Sequence, residues 1–209
     1  MSEGMSVDPE RRARVFLVRH GETEWNAIDR LLSFTDVPLN ERGRGQAARL
    51  GAELAADGVA FDRVLCSPLR RATGTATIVL DALPGSPAVE PDPRLVEVDF
   101  GPLEGWTHEE IVDDEAALAW RLGGEYPGVE TFAAVAARAR SVWEDLPLTG
   151  TTLVVGHGRF LRSLIATCVL ELDLAASTRM RMRNCRPAIV EPGPAPLLLA
   201  LNGGPPYRL

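Results

Sequence analysis

The chain has 209 residues, 45% of them hydrophobic and 24% charged, with a formal net charge of -7, a balance that suits one globular fold and excludes a disordered or fibrous chain. The negative charge argues against nucleic acid or an anionic membrane as partner, and no run approaches the about 18 apolar residues of a membrane span. The three cysteines, Cys66, Cys168 and Cys185, have no CxxC spacing, which speaks against a disulfide framework or a zinc site and for a reducing cytoplasm.

Residues 1–13 read as a polar tail without the apolar stretch of a signal peptide, and 14–209 as a single domain. Val15-Phe16-Leu17-Val18, bounded by charge, predicts a strand over 14–18 buried on both faces. Residues 40–57 carry Ala47, Leu50 and Leu54 at helical spacing, with Gly58 as the stop. A second short strand, 61–66, ends at Ser67-Pro68, and a helix follows over 69–83. Residues 83–105 are rich in Pro and Gly and read as loop, with a short strand near 88–90. Helical patterns return at 107–122 and 130–146. Leu153-Val154-Val155 marks a strand over 152–156, followed by a helix over 159–172. The chain closes with strands expected at 179–183, 188–191 and 197–201. Strands alternating with helices predict an α/β fold: a three-layer α/β/α arrangement around a mostly parallel central sheet.

The chain contains no lysine, which points to a GC-rich bacterial genome and leaves any anion site to Arg, His and backbone N–H groups. The planar fork of Arg suits phosphate oxygens. Open α/β sheets bind ligands beyond the carboxyl ends of their strands, and three segments carry basic residues there. The first strand runs into Arg19-His20-Gly21-Glu22-Thr23, the second through Cys66-Ser67-Pro68 into Arg70-Arg71, and the strand at Leu153 into Gly156-His157-Gly158. No one of these marks a site alone. Side by side they gather two histidines and at least two arginines, with helix N-termini adding partial positive charge, and such a place suits a compact dianion such as phosphate.

The run Leu17-Val18-Arg19-His20-Gly21-Glu22-Thr23-Glu24-Trp25-Asn26 resembles the signature of the histidine phosphatase superfamily, the phosphoglycerate mutase-like proteins. The resemblance continues through Asp36 to Gly43 with Gln46-Ala47, Ser67 to Ala72 with Thr75-Ala76, Leu95 to Gly101 with Leu103-Glu104-Gly105, and Val154 to Gly158. It implies the phosphoglycerate mutase-like fold and a metal-independent phosphatase, with no cofactor, that passes the phosphoryl group through a phosphohistidine on His20. A neutral imidazole, with an ordinary pKa near ~6.5, has a free lone pair for that attack, and in the family the other ring nitrogen donates to the carbonyl of the following glycine, here Gly21.

By the same resemblance Arg19, Arg71 and His157 hold the phosphoryl oxygens. Such transfer is largely positioning and electrostatic stabilisation. Arg70 is the rival to Arg71; the family pattern sets its arginine immediately before the alanine, here Ala72. Asn26, Thr23, Gly21 and Arg159 are candidate substrate-binding positions. Glu97 matches the family's acid, protonating the leaving group and then activating water, for which its pKa must be raised; Asp99 is the runner-up. His108, inside Thr107-His108-Glu109-Glu110, reads as an exposed residue of a capped helix start.

The resemblance covers both hydrolases and mutases. Mutases of this family carry an extra basic cluster after the acid, whereas residues 98–130 hold one basic residue, Arg121, among several acidic ones, so hydrolysis is expected. The alternatives are a mutase-type phosphoryl transfer and a catalytically dead phospho-ligand binding module; the latter has no use for His20 and Glu97 together. Leu32-Ser33, Gly74 and Leu103 depart from the common pattern, the first and the last at places that bear on specificity. The expected partner is a small-molecule phosphomonoester, a sugar phosphate or biosynthetic intermediate, whose identity the covering loops 27–39 and 101–129 do not spell out. The apolar strand at 197–201 leaves open an internal place or the interface of a homodimer.

Overall fold

Val15-Phe16-Leu17-Val18 forms the centre of β1 (Arg14–Arg19), where successive side chains point to opposite faces: Val15 and Leu17 enter one apolar core, Phe16 and Val18 another. In the computed structural model, which describes residues 12–207, the other strands are β2 (Arg63–Cys66), β3 (Val89–Pro91), β4 (Thr151–Gly156), β5 (Ala188–Glu191) and β6 (Leu197–Ala200). They form one sheet in the order β3-β2-β4-β1-β5-β6. Pairings among β3, β2, β4 and β1 are parallel, and β5 and β6 extend the sheet antiparallel on the other edge of β1.

Helices cover both faces, which makes this the expected three-layer α/β fold. One face carries α2 (Glu41–Ala56) and α3 (Arg70–Asp81), whose Ala47, Leu50, Leu54, Ala76 and Val79 pack with Phe16, Val64 and Val155. The opposite face carries α4 (His108–Asp113), α5 (Glu115–Arg121), α6 (Phe132–Glu144) and α7 (Gly158–Leu164), packed on Leu17, Leu65 and Val154. Each fully buried Leu, Val or Phe among them contributes about 1.5–3 kcal/mol, so the two cores hold the ends of β1, β4 and β2 in fixed register. Two short helices, α1 (Glu24–Ala27) and α8 (Leu174–Ser177), lie in the connections. Asn40 caps α2, its side-chain oxygen accepting the Gly43 N–H at 2.8 Å.

Three expectations change. The helix expected over 107–122 is two, because Asp114 leaves helical geometry to cap α5, its carboxylate accepting from the Ala117 N–H at 2.8 Å. The helix expected over 159–172 widens partway: α7 ends at Leu164 and passes into a π-turn at Ile165–Val169. No strand forms at 179–183, although Met180 and Met182 alternate with arginines there. The carbonyl of Met180 accepts from Arg162 (3.1 Å) and that of Met182 from Arg19 (3.0 Å), so guanidinium groups take the places that a neighbouring strand would fill. The remaining elements match to within a few residues at their ends, and His108 is exposed at the start of α4, in contact with Arg121. Among the described residues no helix is long and apolar enough to cross a membrane.

Candidate active site

The parallel register builds the site. Arg19 at the end of β1 lies beside Gly156 at the end of β4, and Cys66 at the end of β2 lies beside Val155. One residue further on, the His20 N–H donates to the Gly156 carbonyl (2.9 Å) and the Ser67 N–H to the Val155 carbonyl (2.9 Å). His20 and His157 therefore leave adjacent strands at the same level, with ring centroids 5.1 Å apart and planes tilted by 59°.

The two rings carry opposite tautomers. His20 Nδ1–H donates to the carbonyl of Gly21 at 2.7 Å, which leaves the Nε2 lone pair free. His157 Nδ1 accepts from Arg71 Nε–H at 3.2 Å, so its proton sits on Nε2 and is donated to Ser67 Oγ at 2.8 Å. Burial, and then the nearby Arg19 and Arg71 charges, hold His20 well below the usual histidine pKa. His157 is likewise held well below it, by burial first and then by His20 and the arginines. Both imidazoles are neutral at pH 7.

The loop that presents His20 is pressed against the start of α2. A Cβ on Gly21 would lie 2.4 Å from the Gly43 carbonyl oxygen, and a Cβ on Gly43 only 2.1 Å from that of Glu22. Neither position admits a side chain, because backbone occupies the space. Both backbone groups of Gly21 serve within the protein: the carbonyl orients His20, and the N–H donates to Thr75 Oγ1 at 2.9 Å.

Arg71, in the first turn of α3, is fully buried. Besides His157, its fork donates to the carbonyls of Ser33 (2.6 Å) and Thr35 (3.0 Å), and burial lowers its pKa to about 10. Arg70 is exposed on the same turn. Ser33 and Thr35 are themselves fixed by Glu104, whose carboxylate accepts from both backbone N–H groups (3.0 and 2.7 Å) and from Ser33 Oγ (3.2 Å). The unusual Leu32-Ser33 pair is thus a junction between Arg71 and Glu104.

His20 opens onto a cleft of about 590 Å³, lined also by Arg19, Asn26, Glu97, Phe100, Arg159 and Asn184. Glu97 is buried and accepts three backbone N–H bonds, from Val98 (2.9 Å), Arg159 (3.0 Å) and Phe160 (2.8 Å). Asp99 lies apart from this cleft, its carboxylate turned to the Gly101 N–H. Thr23 is fully buried and caps α1, its hydroxyl accepting from the Asn26 N–H (3.2 Å) while Asn26 Oδ1 accepts from the Thr23 N–H (3.3 Å). Asn26 reaches the cleft; Thr23, Arg71 and His157 lie beneath its surface. Among the described residues no three or more His, Cys, Asp or Glu side chains are grouped to hold a metal ion.

Sequence reasoning gave no role to two residues that the structure brings in. Ser67 fixes the His157 tautomer, and Asn184 Nδ2 donates to the His20 carbonyl at 2.7 Å; Arg162, which with Arg159 follows His157 as a candidate to meet an anionic substrate, lines the cleft. Ser67 stands inside a quoted motif and was within reach. Asn184 follows a run of alternating arginines and methionines with no pattern that points to His20.

A model of the family described as "Histidine phosphatase superfamily (branch 1)" matches residues 15–199. The chain is 34% identical over 195 residues to the "Probable phosphoglycerate mutase GpmB" of Erwinia tasmaniensis, covering 88% of this chain and 87% of that one. Among solved structures, the alpha-ribazole phosphatase of Shigella flexneri superposes with a TM-score of 0.76 at 30% identity, covering 91% of this chain and 96% of the other. A mycobacterial glucosyl-3-phosphoglycerate phosphatase, solved with VO3, superposes with a TM-score of 0.77 at 28% identity, covering 92% of this chain and 100% of that one.

Proposed function

Since the chain belongs to the histidine phosphatase superfamily, branch 1, we propose that it hydrolyses a small phosphomonoester through a phosphohistidine on His20. The observation that carries this reading is the 2.7 Å bond from His20 Nδ1 to the Gly21 carbonyl, in a buried neutral ring at the floor of an arginine-rich cleft. It leaves Nε2 as a nucleophile whose direction is set by backbone.

In the first step Nε2 attacks phosphorus, the ester P–O bond breaks with its electron pair on the leaving oxygen, and Glu97 gives that oxygen a proton. In the second, the Glu97 carboxylate takes a proton from water as the water oxygen attacks phosphorus, and the P–N bond breaks with its pair returning to Nε2. Arg19 and Arg71 hold the equatorial oxygens on which charge spreads, and His157, with both ring nitrogens engaged by Arg71 and Ser67, fixes Arg71 beneath them. Arg71 retains N–H donors beyond the three bonds it makes, and Arg19 Nε is buried without a partner. Asn26 and Arg159 contribute from the cleft wall. The solved relatives named as phosphatases support hydrolysis.

Turnover of p-nitrophenyl phosphate in the presence of EDTA, absent in His20→Ala, is the expected result, together with an acid-labile phosphoryl adduct on the peptide containing His20. Turnover that survives His20→Ala, or that EDTA abolishes, would overturn the reading. The relatives named as mutases support a second reading, phosphoryl transfer without release. Assaying phosphate release beside isomerisation of 3-phosphoglycerate separates the two.

A further inference from the structure

At the end of β1 the backbone passes from a ladder of main-chain bonds to one held by side chains. The Arg19–His20 peptide still pairs in ladder fashion: the Arg19 carbonyl accepts from the Cys185 N–H and the His20 N–H donates to the Gly156 carbonyl, both at 2.9 Å. Beyond His20 the strand stops, and the next two peptide groups must find other partners. Three side chains from distant parts of the chain supply them.

The His20–Gly21 peptide is gripped at both ends. Its carbonyl accepts from Asn184 Nδ2 at 2.7 Å, and its N–H donates to Thr75 Oγ1 at 2.9 Å. The Thr75 hydroxyl gives its own proton to the Arg71 carbonyl at 2.7 Å, so toward Gly21 it only accepts. In the Gly21–Glu22 peptide the carbonyl accepts from His20 Nδ1 at 2.7 Å, and the N–H donates to Gln46 Oε1 at 2.9 Å. Between these two planes stands Gly21, where the Gly43 backbone leaves no room for a side chain. Glycine has the widest choice of backbone angles of any residue. Nothing in Gly21 itself keeps its carbonyl turned to the His20 ring.

We propose that Thr75, Asn184 and Gln46 are positioning residues for the nucleophile: by fixing the two peptide planes that flank Gly21, they hold its carbonyl against Nδ1 and keep Nε2 unprotonated. This rests on the reading of His20 as the nucleophile and adds the parts that orient it. If the planes turn, Nδ1 loses its acceptor and the proton is free to move to Nε2. That tautomer has no lone pair for attack. Asn184 and Gln46 also line the cleft, whereas Thr75 is fully buried outside its lining. A change at Thr75 therefore reaches the substrate only through Gly21 and Arg71.

The test reads the ring directly, by NMR of protein isotopically labelled in the histidine nitrogens, with the His20 signals assigned by their loss in His20→Asn. At neutral pH the wild-type Nε2 signal should be that of an unprotonated nitrogen. It should move toward the protonated position in Thr75→Val, which keeps the shape of the side chain and removes the acceptor. With p-nitrophenyl phosphate, kcat of Thr75→Val should fall at least about fivefold, the factor that corresponds to ~1 kcal/mol for an unpaired buried donor. KM should stay within about twofold, since the loss lies in the attack and not in binding. Thr75→Ser keeps the hydroxyl and should restore the signal and most of kcat. An Nε2 signal that stays at its wild-type position in folded Thr75→Val overturns the proposal whatever happens to kcat, and so does a Thr75→Ser protein as impaired as Thr75→Val. If Thr75→Val does not fold, Gln46→Leu, on the other peptide plane, decides by the same reading. Should the wild type turn over no phosphomonoester, the hydrolytic reading fails by itself, and the ring signals still decide whether these residues orient His20.

Discussion

The floor of the cleft and its arginine wall are built on opposite rules. On the floor, Arg71, His157, Ser67, His20 and Gly21 form hydrogen bonds that account for every ring nitrogen but the one needed for attack. On the wall, Arg159 and Arg162 are packed into place with N–H groups left over. A satisfied polar network is rigid and preorganised before substrate arrives. A wall with spare donors is completed only by the ligand. The floor should therefore set the rate for every substrate alike, and the wall should sort substrates.

The largest effect that would break this comparison is on the floor. Arg71→Ala should lower kcat by about 10²–10³, the loss seen when one oxyanion donor is removed, and by the same factor for every phosphomonoester turned over. A loss confined to some of them, read by kcat/KM, would assign Arg71 to the wall. Ser67→Ala comes next. It leaves the buried His157 Nε2–H without an acceptor, a cost of about 1–3 kcal/mol. Steady-state kinetics should show it as a fall in kcat of at least about fivefold with little change in KM, and Ser67→Thr should recover part of the loss.

A pH series sharpens the contrast from the side of stability. Both buried histidines have folded-state pKa values well below the ordinary one, so the unfolded chain binds protons that the folded chain refuses. The sign follows: stability is full above pH ~6.5 and is lost as pH falls from there toward the folded-state values, by about 1.4 kcal/mol per pH unit for each histidine. Urea unfolding across that range measures it, and a flat profile would mean that the rings are not held neutral. For the same reason His20 should remain a competent nucleophile below the ordinary histidine pKa, and the kcat/KM profile should extend to the acid side.

The smallest expected effect lies in the loop that joins the two regions. Glu104→Gln keeps the shape but weakens the acceptor for the N–H groups of Ser33 and Thr35. Each weakened bond costs on the order of 0.5–1.5 kcal/mol. KM should rise a few-fold while kcat changes less, because Arg71 keeps both carbonyls only as long as that loop stays in place. A larger fall in kcat than rise in KM would move Glu104 from the entrance to the floor.

The floor was legible in the sequence because its parts sit in short runs attached to strand ends: Arg19-His20-Gly21, Ser67 to Arg71, Gly156-His157-Gly158. Apolar runs of the right length predict strands, strand ends place the next residue, and parallel neighbours then bring distant segments to one level. The wall was legible only in part, through Arg159 and Arg162 after His157. Counting basic residues after the acid found only Arg121 in 98–130, whereas the structure supplies the cluster from α7 and from residues 179–184. That last segment read as a strand by its alternation and became a guanidinium-bound loop instead.

By itself the sequence determined the layered α/β architecture and the two histidines at neighbouring strand ends. These follow from local periodicity and contiguous motifs, which a linear chain displays directly, whereas the preferences for Arg71 over Arg70 and for Glu97 over Asp99 came from the resemblance to the family. Only the tertiary structure decided the two tautomers, the clamp of Glu104 on the Ser33 loop, and the pairing of Arg159 with Trp120. An arginine side chain is long and flexible enough to reach several partners. Which donor stays empty depends on what folding brings around it.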